Sequence, residues 1–153
     1  MARSFSTFAL SEGQIGLAYP LVSAASPKVG LARWRKYAED MTAGQRLSGG
    51  VLGMRGEGAY LCGVMAYHVE PDLAHDRILA VNLFVALDLI DQESAVGTLL
   101  DIAEAKAREL RCDAVYIRIG RNHQNLTNLV ESAGYVPDAL LLHKSVAEPV
   151  TTN

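Results

Sequence analysis

The most regular pattern in the chain runs from residue 94 to residue 111. There Val96, Leu99, Leu100, Ala103, Ala107 and Leu110 recur at spacings of three and four. Asp101, Glu104, Arg108 and Arg111 fall between them. One apolar stripe opposite one polar face predicts an amphipathic helix. Before it, residues 78–88 carry Ile78, Val81, Leu83, Phe84, Val85 and Leu87 with little alternation. That predicts a strand covered on both faces. After the helix, residues 114–119 alternate and stop at Gly120, which predicts another strand. Residues 122–133 place Leu126, Leu129, Val130 and Ala133 on one helical face, with Gly134 positioned to close the helix in a left-handed conformation.

The remaining chain is read in the same way. A short strand covers Phe5 to Leu10. Ser11, followed by Glu12 and Gln14, starts a helix that runs to about Ser23, with Tyr19-Pro20 as the point where it kinks or ends. Small residues at 23–27 form a linker. A second helix over residues 31–41 has the apolar face Leu31, Trp34, Tyr37, Ala38 and Met41. At Gly49 the pattern changes to strand. Residues 49–54 and 59–69 form a hairpin around Arg55-Gly56-Glu57-Gly58, Pro71 ends it, and 72–77 is a polar loop. Tyr135-Val136 begins a last strand, Pro137-Asp138 interrupts it, and residues 139–143 complete it. The order is β-α-α-β-β-β-α-β-α-β. This predicts an α/β (α+β) fold, with a mixed, mostly antiparallel sheet of six or seven strands flanked by helices. A right-handed crossover joins strand, helix and strand. One domain spans 1–148, residues 1–3 are loose, and 149–153 is a frayed tail.

Composition narrows the function classes. The chain has 153 residues, 50% hydrophobic and 20% charged, as expected of one ordinary globular domain. The net charge is −3 and there is no basic stripe, so no nucleic-acid partner is expected. Arg33, Arg35 and Lys36 read as a solvated helix face. No apolar run approaches the roughly 20 residues of a membrane span, and the start lacks a basic-then-apolar leader, so no membrane partner is expected. Cys62 and Cys112 lie in apolar segments and read as buried free thiols, consistent with a reduced, cytoplasmic setting. His68, His75, His123 and His143 have no metal-ligand spacing, so no metal site is expected.

The chemistry lies where the 78–88 strand meets the next helix. Ser94, Ala95, Gly97 and Thr98 are small, and they allow close approach to the backbone N–H groups of a first helical turn. Such groups bind an anion with help from the helix dipole. Small residues at a helix start also serve plain close packing, so the stretch alone has two readings.

With Gln92, Ala95, Gly97, Leu99 and Leu100 in this spacing, and Gly134-Tyr135 after the final helix, the chain resembles the GNAT (GCN5-related N-acetyltransferase) family of acyltransferases. The resemblance covers roughly residues 49–143. It implies acetyl-CoA as acyl-donor cosubstrate and a small-molecule or protein amine as acceptor. The diphosphate would rest on Gln92, Ser94, Ala95, Val96, Gly97 and Thr98, and Val85 and Leu87 would pair their backbone with the pantetheine arm. The carbonyl would be polarised near Leu87, with direct attack by the amine. Asn122 and Asn125, beside His123, stand near the family's coenzyme-contacting Asn. The pattern departs in four respects: Gln92 replaces a basic residue, Ala95 replaces Gly, Asp88, Asp91 and Glu93 make the loop acidic, and Val130 stands where a Tyr acid is often found. Asp88, His68 and His123 are the candidate catalytic groups, and for Asp88 a loop-capping role is the alternative. The whole therefore reads as an acetyltransferase. The alternative is an inactive GNAT-like domain binding CoA, another ligand or a protein, and a homodimer is compatible with either reading.

Overall fold

The computed structural model describes residues 4–42, 49–58 and 60–147. Five strands form one sheet among these residues: β1 (Ser6–Ala9), β2 (Gly49–Arg55), β3 (Leu61–Asp72), β4 (Asp76–Ala86) and β5 (Ala114–Ile117). They lie side by side in sequence order. The first four are antiparallel, and β5 joins β4 in parallel. A parallel neighbour needs a crossover, which helix α3 (Gln92–Glu109) supplies. Three more α-helices flank the sheet: α1 (Tyr19–Ala25), α2 (Leu31–Thr42) and α4 (Gln124–Ser132).

Each sheet face carries its own core. On one face, Met65, Tyr67, Leu79, Val81 and Phe84 pack beneath α3 and α4. The α3 stripe supplies Val96, Leu99, Leu100, Ala103 and Ala107, all buried, with Leu110 partly so. On the other face, Val51, Val64, Ala66 and Val85 meet Ile15, Val22, Trp34 and Ala38. The Trp34 indole N–H donates to the Ile15 carbonyl at 2.7 Å, so its one polar atom is satisfied inside the core. Covering on both faces explains why β4 reads as a nearly continuous apolar run.

The structure corrects several boundaries. The first helical stretch begins as a 3-10 helix, Glu12–Ala18, and becomes α1 at Tyr19. Pro20 falls in the first turn of α1, where its missing N–H breaks no bond, so the helix continues to Ala25. Strand β3 passes Pro71 and ends at Asp72, and Pro71 sits at the hairpin end, where a strand tolerates it. The expected polar loop shrinks to Leu73-Ala74-His75. The Asp72 carboxylate accepts from the N–H of Ala74 (3.2 Å) and of His75 (3.0 Å), and Asp76 takes φ 65°. Gly134 closes α4 at φ 101°, a conformation that glycine adopts at little cost.

The largest correction concerns the last strand. The sheet has five strands among the described residues, not six or seven, because residues 139–143 pair with nothing. Leu140, Leu141 and Leu142 are 89%, 67% and 85% exposed. The segment has strand composition, but composition makes a strand only when an edge receives it. The expectations for residues 1–3 and 149–153 lie outside the described residues.

Candidate functional site

The site is built where β4 and β5 separate. Their pairing ends at Val81 and Ile117, and the last bond runs from the Arg118 N–H to the Val81 carbonyl at 3.0 Å. Strand β4 continues alone on that side to Ala86. On its other side it stays paired with β3, and the Leu87 N–H donates to the Cys62 carbonyl at 2.7 Å. Opposed residues in an antiparallel ladder alternate between bonded and non-bonded pairs. Val85, opposite Val64, therefore also turns its backbone toward β3. Phe84 and Ala86 face the open edge. A molecule lying along this edge would meet Phe84 and Ala86 rather than Val85 and Leu87, whose backbones turn to β3, and the Leu87 N–H is already given to Cys62.

A bulge lies at the parting point. Ala66 is opposite Leu83 and Tyr67 is opposite Val81, so Asn82 is the extra residue on β4. Its side-chain amide donates to Nδ1 of His68 at 3.0 Å, and that assigns the ring proton to Nε2. Nε2 in turn donates to the Glu70 carboxylate at 2.7 Å. His68 and Glu70 are each partly exposed on the α1–α2 face of the sheet. Tyr37 of α2 stacks on Trp34, with ring centroids 6.2 Å apart. Burial pushes the Tyr37 phenol up, and the Arg118 guanidinium pulls it partly back, so the charge at the end of β5 reaches this face.

The start of α3 lies at the far end of the open edge. Asp91 is the N-cap. Its carboxylate accepts from the Ser94 N–H at 3.1 Å and from the Ser94 hydroxyl at 2.7 Å. The Gln92 side chain spans the loop, accepting from the Asp88 N–H at 2.8 Å and donating to the Ala86 carbonyl. Asp88 is buried at 5% exposure. Its carboxylate accepts from the Tyr60 hydroxyl at 2.7 Å and from the Asp91 N–H at 3.2 Å. These bonds give Asp88 the geometry of a loop cap. Ala95 and Val96 point into the core, whereas Ser94, Gly97 and Thr98 are half-buried. A Cβ placed on Gly97 would meet nothing within 4 Å, so the helix surface is open there. Leu89 and Ile90 of the same loop are largely exposed.

The three candidate catalytic residues occupy three places. His68 is opposite Ala80, while Asp88 follows the Leu87–Cys62 bond, about six residues away along β3. At about 3.3 Å per residue that separates them by ~20 Å. His68 is thus at the parting point and Asp88 is at the start of α3. His123 precedes α4, and its carbonyl accepts from the Thr127 N–H and hydroxyl, each at 3.0 Å. Asn122 and Asn125 are exposed around it. Val130 is buried under α3. Tyr60, Glu70, Asn82 and Arg118 were not singled out from the sequence. Tyr60 reaches Asp88 across 28 residues and Asn82 reaches His68 across 14, distances at which no local spacing rule signals a contact.

Among the described residues, no helix is long and apolar enough to cross a membrane, and no cluster of three His, Cys, Asp or Glu side chains could hold a metal. No family model matches the sequence, and no curated protein matches it. Solved structures do match its shape. An aminoglycoside N-acetyltransferase, AAC(6')-Iy, in complex with CoA superposes with a TM-score of 0.78 at 8% identity, covering 96% of this chain and 98% of that one. Ribosomal-protein-alanine N-acetyltransferase from Brucella melitensis biovar Abortus 2308 superposes with a TM-score of 0.72 at 19% identity, covering 93% and 99%. An aminoglycoside 6'-N-acetyltransferase from Acinetobacter baumannii gives 0.74 at 10% identity, covering 94% and 100%. At these identities the likeness is one of fold: the chain has the mixed α/β GNAT fold.

Proposed function

We propose that this protein is an acyl-CoA-dependent N-acyltransferase acting on an amine. The observation that carries the reading is the open edge of β4 beyond Val81, which leads directly to the first turn of α3. A coenzyme with a long polar arm and a diphosphate needs this combination. The residues present fit it. Phe84 offers its backbone groups along the edge and Ala86 its N–H, the Ala86 carbonyl being taken by the Gln92 amide. The first-turn N–H groups of Gln92 and Glu93 have no intrahelical acceptor. The space over Gly97 admits a ligand beside the helix. Bound there, acetyl-CoA supplies an activated thioester. The acceptors named for the similar structures, an aminoglycoside and a ribosomal-protein alanine, are both amines.

The side chains at the parting point handle the proton. An amine that attacks a carbonyl must lose a proton, and His68 is placed to take it at Nδ1 once the Asn82 amide turns aside. Glu70, already bonded to Nε2, then stabilises the charged ring. The parting strands hold amine and acyl carbon together, so positioning contributes much of the rate. The bulge at Asn82 re-aims the backbone where a developing oxyanion would need N–H donors.

One observation favours a second reading. The Asp91 carboxylate caps the same helix start that would receive the diphosphate, and like charges at about 4 Å cost roughly 1 kcal/mol even in water. A GNAT-fold domain that binds a less anionic ligand without catalysis would keep that cap. Calorimetry with acetyl-CoA and with CoA, followed by a turnover assay over a broad amine panel, separates the two. Heat from both ligands and turnover that His68→Ala abolishes support the enzyme. Heat without turnover supports the binding module. No heat at millimolar coenzyme defeats the acyltransferase reading.

A further inference from the structure

The sheet face away from α3 holds a cleft of about 230 Å³ between the 3-10 helix Glu12–Ala18 and strands β1 to β3. Phe8, Leu10, Leu17 and Leu61 wall it, and Gln14 and Arg55 are its polar groups. Two features of the sheet build it. A Cβ on Gly53 would lie 3.0–3.1 Å from atoms of Phe8, Leu10 and Leu61, so these side chains lie down over bare backbone and form a floor. On β3, Gly63 is opposite Met54 and Leu61 is opposite Arg55, so Cys62 is an extra residue. That bulge turns Leu61 to the side of the sheet that carries Arg55. Leu17, on the rim, is 61% exposed. The polar groups are both donors. The Arg55 guanidinium lies over the Phe8 ring, 4.4 Å from its centroid. Stacking uses the face of the cation and leaves its in-plane N–H groups to donate. Among the described residues no carboxylate pairs with it, and Glu57, the nearest acid along the chain, accepts from the Ser4 N–H at 3.2 Å. The Gln14 side-chain oxygen accepts from the Ser11 N–H (3.0 Å) and hydroxyl (2.9 Å), which leaves its amide N–H groups for the cleft.

We propose that this cleft binds a small apolar monocarboxylate, with its carboxylate on Arg55 and Gln14 and its apolar body against Leu10, Leu17 and Leu61. Charge complementarity names the occupant. A guanidinium presents paired N–H groups that match the two oxygens of a carboxylate, and Gln14 adds a neutral donor. One cation balances one negative charge. An amine would meet no acceptor side chain here. The apolar walls require an apolar body on the ligand, and its binding covers the exposed Leu17. Clefts that take drug-sized molecules begin near 300 Å³, so the body is a single ring or a short chain. None of the lining residues belongs to the open edge of β4 or to the first turn of α3, so the inference holds whether or not the protein binds CoA.

The test is an NMR titration of the isotope-labelled full chain with benzoate, and with benzyl alcohol as the uncharged control. Benzoate should shift the Leu17 and Arg55 amides in a saturable way, with a dissociation constant of about 1 mM or lower. Its ring protons should show contacts to the methyl groups of Leu10, Leu17 and Leu61. Benzyl alcohol should bind at least tenfold more weakly. Arg55→Gln should weaken benzoate at least tenfold. Leu17→Glu changes only an exposed rim position, so it keeps the fold, checked by circular dichroism, and its charge should weaken benzoate to a similar extent. Either variant alone tests the proposal if the other does not fold. No shift at about 20 mM benzoate, where a site of about 1 mM is almost full, would overturn it. So would shifts confined to residues 91–98, equal binding of benzyl alcohol, or benzoate affinity unchanged in a folded variant.

Discussion

Gly97 is the residue where folding and binding make opposite demands. It sits in the middle of α3's second turn, where glycine lowers helix stability by about 1 kcal/mol relative to alanine. Nothing in the chain requires its small size, since a Cβ there meets no atom within 4 Å. Gly97→Ala should therefore stabilise the protein by up to about 1 kcal/mol in a urea melt. Gly97→Trp should leave the melt within about 1 kcal/mol of the parent and remove CoA binding in calorimetry. Unchanged binding in the tryptophan variant would place the ligand elsewhere. Asp91 gives the complementary case. Asp91→Ser keeps a capping oxygen and removes the charge, so coenzyme affinity should rise several-fold with stability nearly constant. Asp91→Ala should lose about 1 kcal/mol of stability, read from the same melts.

At the scale of elements, the loop between β4 and α3 is held by its own side chains together with Tyr60. Gln92 ties Ala86 to Asp88, and Asp88 ties Tyr60 to Asp91. Tyr60→Phe removes a hydrogen bond to a carboxylate, and because Tyr60 is 42% exposed the loss should be about 1–2 kcal/mol. Amide exchange should localise the loosening to residues 88–94. If exchange instead rises across the whole sheet, the loop is not an independent unit. The same loop marks how far the sequence could be read. Helix α3 was legible because its stripe is a local repeat, and β4 because its run is long. The small residues at 94–98 marked a candidate helix start but not the register of the strand before it. Register depends on the Leu87–Cys62 bond and on the bulge opposite Tyr67, both of which are set by pairing with another strand. His68 was legible as a candidate, but Glu70 and Asn82, which fix its tautomer, were not. The last strand was misread because its residues look like a strand whether or not an edge receives them.

At the scale of the whole molecule, the question is where the body built by the two cores ends. Tyr135 is the last described residue held firmly by that body. Its N–H donates to the Val130 carbonyl at 3.4 Å and its hydroxyl to the Glu104 carboxylate at 3.1 Å, tying the chain after α4 to α3. A chain ending after Asp138 should thus melt with nearly the parent's stability, because the leucines it removes are exposed. A chain ending after Ala133 should lose about 1–2 kcal/mol, because it leaves Glu104 without its donor and α4 without its glycine closure. Acidity gives an independent check. Burial, and then the Glu104 charge, raise the Tyr135 phenol above its ordinary 10.0. A proton held more tightly in the folded state contributes stability that is complete below pH 10 and is lost as pH climbs through the raised value. The parent should therefore be more stable than Tyr135→Phe at pH 8, and the gap should narrow steadily above pH 10. In a spectrophotometric titration, the parent should show a late-ionising tyrosine that the phenylalanine variant lacks. A gap that stays constant from pH 8 to pH 11 would mean that the hydroxyl ionises in the folded protein as it does in the unfolded chain, and that burial and Glu104 do not hold its proton.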